Sequence, residues 1–197
     1  MIVTHEDSMR IYRELANSVQ ASEVPLKPQE IDPYRIDGRD QVALVRTNRR
    51  REGIVEAFKL LGGLKPLTNG VDGEIIIKPN CNTDDVFPRD SHPDTVRFIA
   101  EVLIETGVKP RQIVVGDMSG RARGLPTRAT IENLGIKAVA EEMGVGLSYF
   151  DEEPWVKLQP PKAVDWPDGI IIPERIYNAD RVIFTPILRS HTTATFT

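Results

Sequence analysis

The chain has 197 residues, of which 40 % are apolar and 27 % are charged, a composition typical of a globular protein and not of a disordered one. Its formal net charge of -4 argues against a general nucleic-acid-binding protein, because such proteins carry an excess of basic residues. The single cysteine, Cys81, excludes an internal disulfide and excludes a metal cluster held by several thiolates of this chain.

The chain shows no sequence signal for a membrane or for secretion. No apolar run approaches the roughly 20 residues that a membrane-spanning helix needs. The N-terminal segment lacks the basic region followed by an apolar region that marks a signal peptide. We therefore expect a cytoplasmic protein that binds neither a membrane nor nucleic acid.

Residues 1–40 are predicted to form a helical N-terminal extension and linker. Apolar residues recur at helical spacing between Glu6 and Ser22, which predicts a helix there. The following VPLKPQEIDPY is rich in proline and charge, which is typical of a linker or a surface segment. The second predicted unit, an α/β domain, covers residues 41–197.

From Gln41 onward, predicted strands and helices alternate. The predicted strands are QVALVRT, GEIIIKPN, RQIVVGD, GLSYFD and ADRVIFTPIL, and GIIIPERIY is interpreted as a strand or a hairpin arm. The predicted helices are RREGIVEAFKLLGG, the segment from SHPDT to Gly107, and a helix from Ala129 to Met143. The proline-rich EPWVKLQPPKAVDWPDG is interpreted as a surface excursion. Because several strands are continuous apolar runs, we predict a three-layer α/β fold with a mostly parallel sheet and helices on both faces.

Polar side chains follow four of the predicted strands. In parallel α/β folds, ligands bind where the carboxyl ends of the strands meet the loops. The side chains expected at this edge are Asn48 and Arg49 to Arg51; Asn80, Cys81, Asp84, Asp85 and His92; Asp117, Ser119, Arg121 and Arg123; and Arg189, Ser190, His191 and Thr192. We predict that these loops together form the rim of a site.

Lys78 is the first candidate at this rim. Pro79 follows it and removes the next backbone donor, so strand pairing is expected to falter there. Two interpretations stay open: an anion-binding or catalytic amine, and a solvated lysine that ends a strand.

Asp117 and Asp84, with the histidines, are candidate ligands of a divalent metal ion. Carboxylate oxygens suit magnesium or manganese, and imidazole nitrogens suit zinc, iron or nickel. No short H-x-x-x-H or D-x-D motif is present, so a metal site needs separate loops to converge. The alternative is that Asp84 is a turn residue and that His92 helps to begin a helix.

Two arginine-bearing segments are candidate anion sites. The loop from Gly116 to Gly124 matches neither the dinucleotide-binding motif nor the P-loop motif, but it carries Arg121 and Arg123 ahead of a helix. Arg49 belongs to a run of arginines at another helix start, where they oppose the helix dipole unless an anion binds. A solvated basic surface is the alternative in both cases.

Four segments resemble the bacterial and archaeal group called domain-of-unknown-function family 362. They are EAFKLLGGL, IIIKPN, the SHPDTVRFIAEVLIETG helix with the following IVVGDMSG, and ADRVIFTPILRSHTTATFT. By the family pattern, the resemblance implies a site at five positions: Lys78, Asn80, His92, Asp117 and His191. It also implies that the domain continues past Thr197 or that its site is incomplete. Some members carry a ferredoxin-like iron–sulfur module, whose cysteines this chain lacks.

Two functional hypotheses follow from the residues and the resemblance. In the first, the protein is an enzyme, or most of one, that binds a small anionic molecule. His191, His92 and Lys78 are its acid–base groups; Asn80, Ser119, Arg49, Arg121 and Arg123 contact the ligand; and a redox or metal link stays open. In the second, the protein is a non-catalytic binding or assembly module that forms a homo-oligomer or partners an iron–sulfur protein.

Overall fold

A computed structural model of the protein describes residues 20–28, 32–120, 126–191 and 195–196. Its centre is a four-stranded sheet in which every neighbouring pair is parallel, in the order β4-β3-β2-β7. These strands are β2 (Ile75–Pro79), β3 (Ile113–Asp117), β4 (Gly146–Tyr149) and β7 (Arg181–Thr185). The predicted parallel α/β fold is confirmed.

Helices cover both faces of the sheet, but unequally. The helices are α1 (Arg50–Leu60), α2 (Lys65–Thr68), α3 (Pro93–Glu105), α4 (Thr127–Asn133), α5 (Ile136–Met143) and α6 (Glu174–Asn178). Residues of α1, α3, α4 and α5 pack against Ile75, Ile77, Ile113 and Val115 in the larger core. The opposite face carries a smaller core in which Ile176 of α6 packs. We call this opposite side the thin face.

The apolar runs of β2 and β3 explain why they form the centre of the sheet. Ile75, Ile76 and Ile77 are all fully buried, which requires cover on both faces and fits strands with two parallel neighbours. Helix α3 turns its apolar side chains toward the same core and ends before Gly107, whose φ of 100° suits glycine. The carboxyl ends of β2 and β3 are thereby placed side by side.

Three smaller strands form a second sheet in the order β1-β5-β6. They are β1 (Ala21–Glu23), β5 (Trp155–Leu158) and β6 (Ile170–Pro173), where β1 and β5 pair in parallel and β5 and β6 pair antiparallel. The segment interpreted as a surface excursion therefore contains a strand. Most of the helix predicted between Glu6 and Ser22 lies outside the described residues.

A short hairpin follows the central sheet. Its strands are β8 (Ser190–His191) and β9 (Thr195–Phe196), which pair antiparallel. No helix within the described ranges has both the length and the apolar character needed to cross a bilayer.

Two further predicted elements differ from the structure. Residues 41–47 form no strand, and the side chains of Val42 and Leu44 are almost fully exposed. The short apolar run there favours a strand, but a strand also needs a hydrogen-bonded partner. Among the described residues none forms a backbone hydrogen bond to this segment. The helix predicted from Ala129 to Met143 is two helices, because Gly135 adopts a φ of 75° between α4 and α5.

Candidate functional site

The carboxyl ends of β2 and β3 bring Lys78 and Asp117 into direct contact. Lys78 Nζ lies 2.7 Å from Asp117 Oδ1, and the two side chains are 31 % and 4 % exposed. The contact is possible because adjacent parallel strands end at the same edge of the sheet. A buried carboxylate thus holds a partly exposed ammonium group, and two residues predicted for the rim are in contact.

The second oxygen of Asp117 is also occupied. Asp117 Oδ2 accepts a hydrogen bond of 2.7 Å from the backbone N–H of Cys81. Burial raises the pKa of Asp117 above its ordinary value, whereas the Lys78 ammonium and the amides of Cys81 and Met118 act in the opposite direction. Asp117 is fixed from two sides, and this fixes the position of the Lys78 ammonium group.

Asn80 and Ser91 close the loop that connects β2 to α3. The Asn80 amide donates to Ser91 Oγ over 2.9 Å, and the Ser91 amide donates to the Asn80 carbonyl over the same distance. Ser91 Oγ in turn donates to the carbonyl of Thr185 at the end of β7. The Asn80 side chain donates to the Arg89 carbonyl. Asn80 therefore lies at the predicted edge, but its described contacts are structural.

A second set of hydrogen bonds joins this loop to the loop after β3. The Asn82 amide and the Thr83 hydroxyl both donate to the carboxylate of Asp90, which is buried. The Gly120 amide donates to the Asn82 carbonyl over 2.7 Å. Buried polar groups that are paired in this way give a rigid frame, so the two loops behave as one wall beside Lys78.

His92 begins helix α3 and is partly exposed. Its Nδ1 accepts a 3.1 Å hydrogen bond from the Asp94 amide, so the neutral imidazole carries its proton on Nε2. His92 is the N-cap of α3, whereas the hydroxyl of the preceding Ser91 donates to Thr185 of β7. The Phe87 and His92 rings pack in a T-shaped arrangement with 5.8 Å between their centroids.

Arg50, and not Arg49, reaches this wall. The Arg50 guanidinium lies 4.8 Å from the centre of the Phe87 ring, and it donates to Thr95 Oγ1 over 3.0 Å. Arg49 is exposed and pairs with Glu52. The helical repeat offered a signal for this, because Arg50 lies four residues before the inward-facing Ile54.

The predicted metal ligands Asp84 and Asp117 have different partners. Asp84 is exposed and accepts a 2.9 Å hydrogen bond from Asn133 of α4, while Asp117 binds Lys78 and the Cys81 amide. In the described part of the chain, no group of three or more His, Cys, Asp or Glu side chains is arranged to hold a metal ion. A metal site stays a prediction that these contacts do not support.

Ser119 is buried beside the end of β4. Its amide donates to Thr127 Oγ1, and the Thr127 hydroxyl donates to Asp151 Oδ2 over 2.8 Å. Arg121 and Arg123, which the sequence predicted as ligand contacts, lie outside the described residues. The backbone of His191 lies in β8, and its side chain is likewise outside what the structure describes.

Cys81 is a buried part of the core and not an exposed nucleophile. Its side chain has no solvent exposure and lies in the larger hydrophobic cluster. Burial first, and then the nearby Asp117 carboxylate, raise the pKa of the Cys81 thiol well above its ordinary value. A thiol held in its neutral form is a poor nucleophile.

An open cavity of about 440 Å³ lies away from this edge, between α1 and α3. Its lining includes Phe58 and Leu64, and it includes no residue predicted for the site. The assignment of a candidate site around Lys78 therefore depends on the contacts of its side chains and not on a deep pocket.

A comparison with models of protein families finds a match to this chain. A family model described as Domain of unknown function (DUF362) matches residues 75–197, which is more than half of the chain and includes β2, β3 and β7. Neither the curated proteins nor the solved structures provide a match.

Proposed function

The chain belongs to the DUF362 family, and we propose that it binds a small anionic molecule at the carboxyl edge of its parallel sheet. The observation that carries this proposal is the contact between Lys78 and Asp117. In the proposal, Lys78 contacts the ligand and Asp117 is the positioning residue that holds Lys78.

The geometry of Lys78 supports this division of roles. An ammonium group has three N–H donors, of which Asp117 Oδ1 accepts one at 2.7 Å and the Pro79 carbonyl accepts a second at 3.5 Å. Lys78 keeps about a third of its side chain exposed, whereas Asp117 is almost fully buried. A ligand that approaches from solvent therefore meets the ammonium group and not the carboxylate.

His92 is the acid–base group of the enzymatic form of the proposal. Ser91, its neighbour, is bonded to Asn80 and to Thr185, so His92 is held near the ends of β2 and β7. Because Nδ1 is already an acceptor, Nε2–H is the donor that remains for a ligand. His191 stays a predicted second acid–base group.

Titration with simple anions tests the proposal. Acetate, malonate and inorganic phosphate are added at constant ionic strength to wild type and to Lys78→Met, and binding is followed by backbone amide chemical shifts. We expect saturable shifts around residues 78–82 in wild type and an affinity at least tenfold lower in Lys78→Met.

Lys59→Met is the matched control. Lys59 lies on α1 and pairs only loosely with Glu56, at 3.5 Å, on an exposed surface. Its removal is expected to leave the affinity unchanged. Equal binding by folded Lys78→Met and wild type would show that Lys78 does not contact the anion and would remove the proposal.

The second candidate function is a non-catalytic assembly module that forms a homo-oligomer or partners an iron–sulfur protein. Exposed large apolar side chains favour it, since Val42, Leu44 and Leu188 are all more than 80 % exposed. Light scattering at increasing concentration, with the Val42→Ser/Leu44→Ser variant as comparison, tests the homo-oligomer. A monomer at all concentrations counts against that form of the candidate.

A further inference from the structure

Phe184 lies beside Lys78 on the neighbouring strand. The parallel register of β2 and β7 makes Lys78 and Phe184 direct Cα partners. Side chains at paired positions of adjacent strands point to the same face of the sheet, about 4.8 Å apart. Phe184 is 63 % exposed, although it belongs to a strand of the central sheet.

The alternation of side chains shows which face this is. Ile76 and Val182 lie two residues before Lys78 and Phe184, and both belong to the smaller core of the thin face. Lys78 and Phe184 therefore lie on the thin face, one step nearer to the carboxyl edge. Phe150 and α6 pack over Ile76 but leave Phe184 uncovered, as the exposure of the Phe184 ring shows.

We propose that Lys78 and Phe184 form a subsite for an anionic molecule that carries a flat apolar ring, such as an aryl carboxylate or an aryl phosphate. The anionic group meets the Lys78 ammonium and the ring stacks on Phe184. This inference rests on the proposed function, since it places the anion of that function on the same lysine, and it adds the chemical class of the ligand.

Two physical points carry the choice of ligand. The Phe184 ring keeps most of its apolar surface in water. A ligand ring that stacks on it removes apolar area of both rings from water, which is favourable. The Lys78 ammonium group, which Asp117 holds at the carboxyl edge, opposes a purely apolar partner, because covering it without an anion would strip its hydration without compensation. A molecule with both a ring and an anionic group satisfies the two neighbours together.

Matched pairs of anions, with and without an aromatic ring, distinguish the contribution of the ring to binding from that of the charge. Benzoate is compared with acetate, and phenyl phosphate with inorganic phosphate, by amide chemical shifts and isothermal titration calorimetry. In wild type we expect each aryl probe to bind about 3- to 10-fold more tightly than its partner without a ring. We expect Phe184→Ala to abolish this preference while the binding of acetate and phosphate is retained.

Leu188→Ala is the matched control, because Leu188 is another exposed apolar residue after β7. It is expected to keep the preference for aryl probes. Lys78→Met is expected to weaken all four probes together, since each depends on the ammonium group. Circular dichroism confirms that each variant is folded before it is titrated.

The remaining outcomes each decide a separate question. Lys78-dependent binding without any preference for aryl probes would overturn the subsite and leave the anion site intact. Failure of all four probes to bind would overturn both proposals. If wild type is a dimer and Phe184→Ala is a monomer, Phe184 is an interface residue and the subsite is wrong.

Discussion

Replacing Lys78 with methionine removes the ammonium group from a buried carboxylate while keeping a side chain of similar length. Asp117 Oδ1 then loses its 2.7 Å partner, and only Oδ2 keeps its described hydrogen bond, from the Cys81 amide. Removing one partner of a buried ion pair typically costs about 3–5 kcal/mol of unfolding free energy. Because Lys78 is 31 % exposed, part of its attraction to Asp117 is screened by solvent, and we expect about 2–3 kcal/mol at neutral pH.

The loss of stability is expected to depend on pH. Burial already raises the pKa of Asp117, and loss of the ammonium group raises it further. The folded variant then holds the Asp117 proton more tightly than the unfolded chain does. The cost of the substitution is therefore smallest at acidic pH and grows as the pH rises through the folded pKa of Asp117.

Urea denaturation followed by circular dichroism measures this cost at about pH 4.5 and about pH 8. A parallel thermal measurement should show a midpoint lowered by about 4–12 °C at the higher pH, given the usual scale of about 2–4 °C per kcal/mol for a chain of this size. Adding Asp117→Asn to Lys78→Met removes the buried charge and should recover part of the loss. An equal loss at both pH values, or a double variant whose loss equals the sum of the single losses, would refute the reasoning.

Three further predictions concern the frame around this pair. Gly120→Ala places a Cβ 2.2 Å from Asn82 Oδ1, so we expect the joint between the two loops to open and amide exchange at Asn82 to accelerate without global unfolding. Gly116→Ala places a Cβ 2.5 Å from the Phe150 ring, and we expect it to cost about 1–3 kcal/mol in urea denaturation. The Cys81 thiol should resist a thiol reagent in the native protein and react only at the rate of unfolding; rapid native labelling would contradict its burial.

The central sheet could be predicted from the sequence because its signal is local. The runs before Lys78 and Asp117 are apolar at every position, and only strands covered on both faces suit such runs. Once these strands are parallel, their polar ends must share one edge. The neighbourhood of Lys78 and Asp117 follows from this rule, but the contact itself does not, because it depends on the register between two strands.

The segment 41–47 shows where local signals fail. Its four consecutive apolar residues, 42–45, satisfy the pattern of a short buried strand. The structure leaves the side chains of Val42 and Leu44 exposed and gives the segment no backbone partner among the described residues. Strand formation depends on a neighbour that is distant in sequence, and no property of the segment itself reports whether that neighbour is present.

The sequence predicted Arg49 at the site, but the structure places Arg50 there, and the reason is different from that for segment 41–47. Both residues start the same helix, and the charge pattern does not distinguish them. The direction of each side chain does, since Arg50 shares the inner side of α1 with Ile54 and so turns toward Phe87, whereas Arg49 pairs with Glu52 in solvent. The helical repeat therefore predicts which arginine faces inward, whereas the number of arginines does not.

The hydrogen bonds of the loop after β2 narrow the chemistry available at the site. Asn80 and Ser91 bond to each other's backbone, and Asp90 accepts from Asn82 and Thr83, so these polar groups hold the loop in place.

Asp117 has both oxygens engaged, and a metal ion that bound at Oδ1 would have to displace Lys78. The loop thus contains many polar residues because its own backbone must be satisfied. The described contacts use two of the three Lys78 N–H donors and leave Nε2–H of a neutral His92 unused. An N–H donor at the carboxyl edge of a parallel sheet is chemically matched to an anion.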